Sequence, residues 1–279
     1  MIGILDVGGG MRGVYPAGIY DYLLDKDIYF DYYIGVSAGS GNLVSYVAKQ
    51  RERNLRYYRD YSFRKEYMSF GNFIKRGSYI DLHYIYADMC NTGGEDVIDF
   101  KTFMENAKEF VIVATNGLNG KVKYFSHRDL KLDHYEPLMA SCCIPGVCKP
   151  IMIDGIPYFD GGVSNPIPYQ KAFDDGCDKL VICLTRPLDV PHKPLSHPKL
   201  MKFLLRKYPE TFRVTDEKDK LYNKQIEEIK ELQKQGKVLI MAPTNTFGVD
   251  TLSHDKDAMM KFYNHGYEDA KKIIDFINK

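Results

Sequence analysis

Two glycine turns within the first forty residues constrain this chain more than any other feature. Gly8-Gly9-Gly10-Met11-Arg12-Gly13 follows the apolar run at 2–7, and Gly35-Val36-Ser37-Ala38-Gly39 closes the apolar and aromatic run at 30–36. Between them, residues 14–26 carry Ile19, Tyr22 and Leu23 at helical spacing. After the second turn, small residues lead into Leu43, Val44 and Val47, which predicts a helix over 37–50. Strand, helix and strand at this spacing imply a right-handed βαβ unit with two parallel strands. Both turns then leave the same edge of the sheet, the edge where α/β proteins bind ligands.

Further apolar runs predict strands near 110–115, 122–125, 179–184 and 238–241, and helices near 99–107, 134–143, 166–175, 197–207, 216–235 and 255–277. The 216–235 helix has Leu221, Ile229 and Leu232 as its stripe and Gly236 as its stop. Residues 51–80 depart from this rhythm. Arginines interleave there with Tyr57, Tyr58, Tyr61, Phe63, Tyr67 and Phe70, so the segment reads as a helix or long loop leaving the sheet. No repeat, low-complexity tract or clear linker divides the 279 residues, and 187–198 reads as a surface loop. The expectation is one α/β domain, a mostly parallel sheet sandwiched by helices.

Composition excludes several classes. Lys and Arg number 38 against 37 Asp and Glu, so the net charge of +1 lacks the basic excess of a dedicated nucleic-acid binder. No apolar stretch approaches the 18 or so residues of a membrane-spanning helix. Met1-Ile2-Gly3-Ile4-Leu5-Asp6 lacks the basic and long apolar regions of a signal peptide, and a cytoplasmic location is expected. The six cysteines show no framework spacing and no Cys-x-x-Cys, and the seven histidines are scattered, so neither disulfides nor a zinc site is expected.

Three motifs carry chemistry. Residues 8–13 satisfy G-x-G-x-x-G, whose stacked backbone N–H groups suit a dinucleotide phosphate or an oxyanion. A dinucleotide site wants an acid at the end of the second strand, but Asp31 lies at its beginning. Residues 35–39 satisfy G-x-S-x-G, in which Gly35 and Gly39 let the chain turn sharply and present the Ser37 hydroxyl at a helix start. An isolated match could equally be a helix N-cap serine. The third is Asp160-Gly161-Gly162, by itself only a turn signal.

Taken jointly and in this order, the three motifs resemble those of the patatin-like phospholipases, a family of lipid acyl hydrolases. Ala140-Ser141-Cys142-Cys143-Ile144-Pro145 also resembles that family's A-S-x-x-x-P segment. The resemblance covers 1 to about 185; residues 186–279 carry no family motif and are expected to complete or cover the sheet. It implies a Ser–Asp dyad in which Ser37 attacks an ester carbonyl and Asp160 takes its proton. It further implies an oxyanion hole drawn from Gly8, Gly9, Gly10, Met11, Arg12 and Gly13, with Gly35, Gly39, Gly161 and Gly162 shaping the elbow and the aspartate loop. No metal or other cofactor is required by such a serine mechanism.

The competing serine chemistry is a Ser-Asp-His triad, for which His254 and His265 are the candidate bases. His83-x-x-x-x-Asp88 matches an acyltransferase pattern without its glycine-rich partner and is read as chance. A protein that binds lipid or nucleotide without catalysis is the remaining class. The expected substrate is a lipid or phospholipid ester. The basic aromatic stretch 51–76 is read either as a solvated helix with its rings tucked inward or as a peripheral membrane contact.

Overall fold

Alternation along the central strands sorts the core into two layers. In the computed structural model, which describes residues 1–278, Tyr33 of strand β2 (Tyr32–Val36) faces one apolar layer, whereas Tyr32, Ile34 and Val36 face the other. Strand β1 (Ile2–Asp6) does the same with Ile4 and Leu5. A strand buried on both faces reads as a continuous apolar run, which is the character of a parallel sheet between helices.

The remaining strands are β3 (Glu109–Asn116), β4 (Val122–Ser126), β5 (Ile151–Ile153), β6 (Ile156–Asp160), β7 (Lys179–Cys183) and β8 (Val238–Met241). They form one sheet of order β5-β6-β3-β2-β1-β7-β8, with β4 also paired to β3. The five strands β3, β2, β1, β7 and β8 are parallel neighbours; β4, β5 and β6 pair antiparallel. The β5–β6 hairpin was not expected from the sequence. Its turn is Asp154-Gly155, both with positive φ (49° and 75°), a two-residue turn whose twist suits adjacent antiparallel strands.

The helices are α1 (Val14–Asp25), α2 (Ala38–Val47), α3 (Arg53–Arg59), α4 (Phe70–Arg76), α5 (Phe100–Asn106), α6 (Glu136–Ser141), α7 (Tyr169–Asp174), α8 (Pro198–Leu204), α9 (Pro209–Lys234), α10 (Lys256–Asp269) and α11 (Lys271–Ile277). Helices α1, α2, α5, α6 and α10 share one layer with Ile4 and Tyr33, and α7 and α9 share the other. Three expectations shift. Helix α9 starts at Pro209 rather than 216, because Pro209 and Glu210 make a good first turn. The helix expected over 255–277 divides at Ala270. Residues 51–80 are a chain of short elements, α3, a 3-10 turn at Tyr61–Phe63 and α4.

The C-terminal stretch is woven into the N-terminal one. Strand β8 extends the sheet beyond β7, and α9 packs its Tyr222, Ile226 and Ile229 on the second layer. Helix α10 lies on α1, which is why α1 is buried continuously from Val14 to Leu23. The two helices meet at glycines. A Cβ on Gly266 would sit 1.9 Å from the Tyr15 carbonyl oxygen, and one on Gly18 would sit 2.0 Å from that of Tyr263. Polar clasps flank the contact: the Tyr15 hydroxyl donates to Asp269 (2.9 Å) and the Tyr263 hydroxyl to Asp21 (2.7 Å).

Because backbone cannot yield as a flexible side chain does, Gly266→Ala is expected to cost about 1–3 kcal/mol. Gly71→Ala in α4, where a Cβ would meet only the Ser69 hydroxyl at 3.5 Å, should be neutral or stabilising by up to about 1 kcal/mol. Denaturant melts of both variants check this; equal stabilities would contradict the packing described.

Candidate active site

Strand pairing sets the stage. In the β1–β2 register Asp6 lies beside Gly35, so the glycine turn and the serine turn leave the sheet side by side. Strand β6 runs the opposite way, yet it overlaps only the last residues of β3. Asp160, its final residue, pairs with Ala114, one step beyond the Val113 that pairs with Val36. Antiparallel pairing with a short overlap thus carries an aspartate to the same edge as the serine.

Ser37 occupies φ 56°, ψ −134°, a conformation a non-glycine residue adopts only under constraint. Its side chain makes no cap bond to α2, which sets aside the N-cap reading. Close approach on both sides enforces the turn. A Cβ on Gly35 would lie 2.5 Å from Ser40 Cα, and one on Gly39 2.4 Å from the Asp6 carbonyl oxygen. Ser141, at the end of α6, accepts from the Ser37 N–H (2.9 Å) and shares a hydrogen bond with the Ser40 hydroxyl (2.9 Å). This gives the 140–145 segment a physical role: it braces the elbow.

Ser37 and Asp160 are 8% and 7% exposed and open into a common cavity, so both are dry yet reachable. Burial pushes the Asp160 carboxyl above the ordinary carboxylate range. Lys218 of α9, the Ser37 hydroxyl and the Gly162 N–H (2.8 Å) act the other way by favouring its anion. Gly161 leaves no room for a side chain, a Cβ there falling 2.1 Å from the Val113 carbonyl oxygen.

The glycine turn bends through three consecutive positive φ values at Gly8, Gly9 and Gly10 (65°, 129° and 61°). Its N–H groups are not equivalent. Gly8 N–H donates to Asp6 (2.8 Å) and Met11 N–H to the Thr251 carbonyl (3.1 Å), while Gly9 and Gly10 N–H have no intramolecular acceptor among the described residues. Of these amides, those of Gly9 and Gly10 are therefore left able to donate to a bound group. The Met11 N–H is occupied by Thr251, and Gly13 packs beneath the Tyr58 hydroxyl. Asp6, fully buried, also accepts from Tyr20 (3.1 Å) and Asn42 (3.1 Å), and its pKa is pushed up to about 6 by burial. The Thr185 hydroxyl donates to the Gly8 carbonyl (2.6 Å), and Arg12 reaches across the turn to the Thr251 hydroxyl (2.8 Å).

Two cavities meet at Ser37. One, of about 850 Å³, is lined by rings and aliphatic groups, including Tyr57, Tyr61, Tyr67, Ile80, Leu82 and Ile85. Tyr57, Tyr58, Tyr61 and Tyr67 of the 51–80 segment thus form one of its walls. The arginines of that segment are largely consumed by carboxylates: Arg51 by Asp25, Arg53 and Arg56 by Asp96, Arg64 by Glu95 and Arg76 by Asp81. The second cavity, of about 1210 Å³, contains Asp160 and is bordered by Arg12, Arg186, Lys193 and Lys218.

Neither histidine of the triad alternative stands at this edge. His254 is exposed beside Phe63, and His265 pairs with Asp269 at 3.1 Å on α10. The histidine that does border the Asp160 cavity is His192, which the sequence did not single out. It stacks on Tyr222 with 3.7 Å between ring centroids, and burial together with Arg186, Lys218 and Arg12 depresses its pKa to about 3. So weak a base cannot hold a proton at neutral pH. Also missed were Asp6, Asn42, Arg186 and Lys218, and Ser141 was noted only within the 140–145 segment, without a role. Asp6 had a signal, as a lone acid ending an apolar strand; Lys218 had none among the Glu/Lys pairs of its helix. Among the described residues no cluster of His, Cys, Asp and Glu is arranged to hold a metal ion.

Comparison with known proteins agrees with this geometry. The family model described as "Patatin-like phospholipase" matches residues 7–173, and a domain of unknown function (DUF6363) matches 208–279. The Escherichia coli (strain K12) "Uncharacterized protein YjjU" is 26% identical over 205 residues, covering 73% of this chain and 57% of that protein. The chain thus spans a little more than half the length of that curated relative. From an α/β sheet carrying these turns at one edge, and from the match over 7–173, it follows that the chain belongs to the patatin-like phospholipase family.

Proposed function

We propose that the protein is a serine acyl hydrolase that cleaves lipid esters through a Ser37–Asp160 dyad. The observation that carries this reading is the strained Ser37, which shares one cavity with the buried Asp160 carboxyl and also lines an apolar one. Ser37 Oγ attacks the ester carbonyl as Asp160 takes its proton, and the carbonyl electrons move onto oxygen. That oxyanion is met by the Gly9 and Gly10 amides. Each such donor is worth on the order of 3 kcal/mol in related chemistry. Collapse expels the alcohol, which receives the proton from Asp160, and leaves an acyl-serine. Water, deprotonated by Asp160, then attacks the acyl-serine; the Ser37 oxygen leaves, takes that proton back from Asp160, and the carboxylic acid is released.

A carboxylate is ordinarily a weak base, so the site needs help from its surroundings. Burial supplies it by raising the Asp160 pKa, and the α2 N-terminus favours the developing negative charge. The apolar cavity suits an acyl chain. Helix α4 exposes Phe70, Phe73 and Ile74 beside Lys75 and Arg76, which supports docking of this segment on a lipid surface. No helix among the described residues is long and apolar enough to cross a membrane.

A fluorophosphonate probe should label the wild type and not Ser37→Ala. Asp160→Asn should lower hydrolysis of a medium-chain ester by about a thousandfold with an unchanged melting temperature, within the range of general-base losses. Replacing His254 or His265 should change the rate only a few-fold. Near-wild-type turnover by folded Asp160→Asn would refute the dyad.

The pH dependence follows from the same groups. Asp160 must be ionised to act as base, and its pKa is raised, so kcat/KM should fall with acidity at a pH above the ordinary carboxylate range. Lys218 favours the Asp160 anion, so Lys218→Met should displace that acid limb to higher pH. A limb that stays in place or moves lower in the pH–rate profile would contradict the assigned contact.

A further inference from the structure

The glycine turn at 8–13 does not hold its own shape. Gly8, Gly9 and Gly10 carry positive φ in succession. Glycine enters such a bend easily and leaves it as easily, so the bend depends on what surrounds it. One end is held near β1, where the Gly8 N–H donates to Asp6 (2.8 Å) and the Gly8 carbonyl accepts from Thr185 (2.6 Å). The other end is held by Thr251, in the segment joining β8 to α10. The Thr251 carbonyl accepts from the Met11 N–H (3.1 Å), and its hydroxyl accepts from the Arg12 guanidinium (2.8 Å), 239 positions away in the chain. The Gly9 and Gly10 amides lie between these two anchors.

Thr251 is packed against the turn as well as bonded to it. A Cβ on Gly10 would fall 2.3 Å from the Thr251 carbonyl oxygen and 2.8 Å from its Cγ2, so the two segments touch at their backbones. Arg12 folds back over the turn, its Nη2 lying 3.0 Å from where a Cβ on Gly9 would stand. The Thr251 hydroxyl thus fixes a guanidinium that itself covers Gly9. The loop carrying Thr251 is secured in turn. Val249 is buried, and Phe247 packs on Phe262 of α10 with 6.3 Å between ring centroids. Asp250 accepts from the Leu252 N–H (2.9 Å), and its own N–H donates to Ser253 (2.7 Å). Thr251 also borders both cavities that meet at Ser37.

We infer that Thr251 is a positioning residue, which anchors the far end of the glycine turn and so holds the Gly9 and Gly10 amides where an ester oxyanion forms. This role presupposes the proposed ester cleavage at Ser37 and adds to it. Thr251 acts through Met11 and Arg12 rather than on the substrate. Hydrogen bonds weaken steeply as they bend, so a turn released at one end presents its donors out of line with the oxygen that needs them. Thr251 belongs to the segment 208–279 that matches the domain of unknown function, whereas the turn lies within the match over 7–173. The C-terminal segment thereby completes a turn whose residues stand at the other end of the chain.

The test uses the full chain with Thr251→Val, which keeps the side-chain shape and removes the hydroxyl, and with Thr251→Ser, which keeps the hydroxyl. Each protein is assayed well below its melting temperature. On a medium-chain ester, Thr251→Val should lower kcat by about tenfold with KM little changed, as when a donor is displaced rather than deleted. Thr251→Ser should stay close to the wild type. An alkyl trifluoromethyl ketone, whose adduct with a serine places an oxyanion at the same point, should bind Thr251→Val more weakly by the same factor. Equal losses in the two variants overturn the inference, as does a higher KM with kcat unchanged, the mark of a residue that only lines the cavity. Amide hydrogen exchange over residues 8–13 supplies a readout without turnover, and it should be faster in Thr251→Val than in the wild type or Thr251→Ser. If the wild type cleaves no ester and takes up no fluorophosphonate, the hydrolase reading fails, and faster exchange in Thr251→Val still identifies the anchor. If esters are cleaved and Thr251→Val equals the wild type in kcat, ketone affinity and exchange, the anchoring role fails alone.

Discussion

A buried carboxylate holds the candidate site of this protein together. Asp6 ends β1 with no exposure to solvent, and its two oxygens collect the Gly8 N–H, the Tyr20 hydroxyl and the Asn42 amide. A charge so placed is costly unless it is hydrogen-bonded, and its elevated pKa measures the cost that remains. In return the glycine turn is tied to β1, to α1 through Tyr20 and to α2 through Asn42. Asn42 passes the constraint on, donating to the Gly13 carbonyl and accepting from the Tyr58 hydroxyl. The wall of the apolar cavity and the glycine turn are therefore parts of one hydrogen-bonded unit.

This arrangement explains why tyrosine rather than phenylalanine recurs in the core. Each of Tyr15, Tyr20, Tyr58 and Tyr263 buries a ring and delivers a hydroxyl to a carboxylate or amide on another element. A ring contributes apolar area, and the polar tip fixes orientation. At the elbow, Ser141 satisfies the Ser37 N–H and shares a hydrogen bond with the Ser40 hydroxyl.

The two cavities that meet at Ser37 differ in character. On one side of Ser37 lies a cavity lined by aromatic and aliphatic groups; on the other, cations from three segments border the cavity that Asp160 also lines. Opposed effects act on that aspartate. Burial makes it a stronger base, whereas Lys218 favours its anion. The C-terminal stretch enters the chemistry through that lysine, and it enters the fold through β8 and through α10 on α1.

Much of the catalytic edge was legible in the order of residues. Glycines at 8–10 announce a turn only glycine tolerates, and Gly35 and Gly39 around Ser37 announce a sharp strand-to-helix elbow, because local sterics are written in local sequence. Asp154-Gly155 carried an equally local hairpin signal. What the sequence by itself determined was thus the position of each turn, the parallel β1–β2 pair, and the residue types able to do the chemistry. Tertiary structure alone decided which glycine amides stay free, since Thr251 lies 240 residues from the Met11 N–H it occupies. It also decided that the arginines at 51–76 are spent on carboxylates and that Arg186, His192 and Lys218 converge on Asp160. Those contacts join residues far apart in the chain, and charge acts through space, so spacing along the polypeptide carries no trace of them.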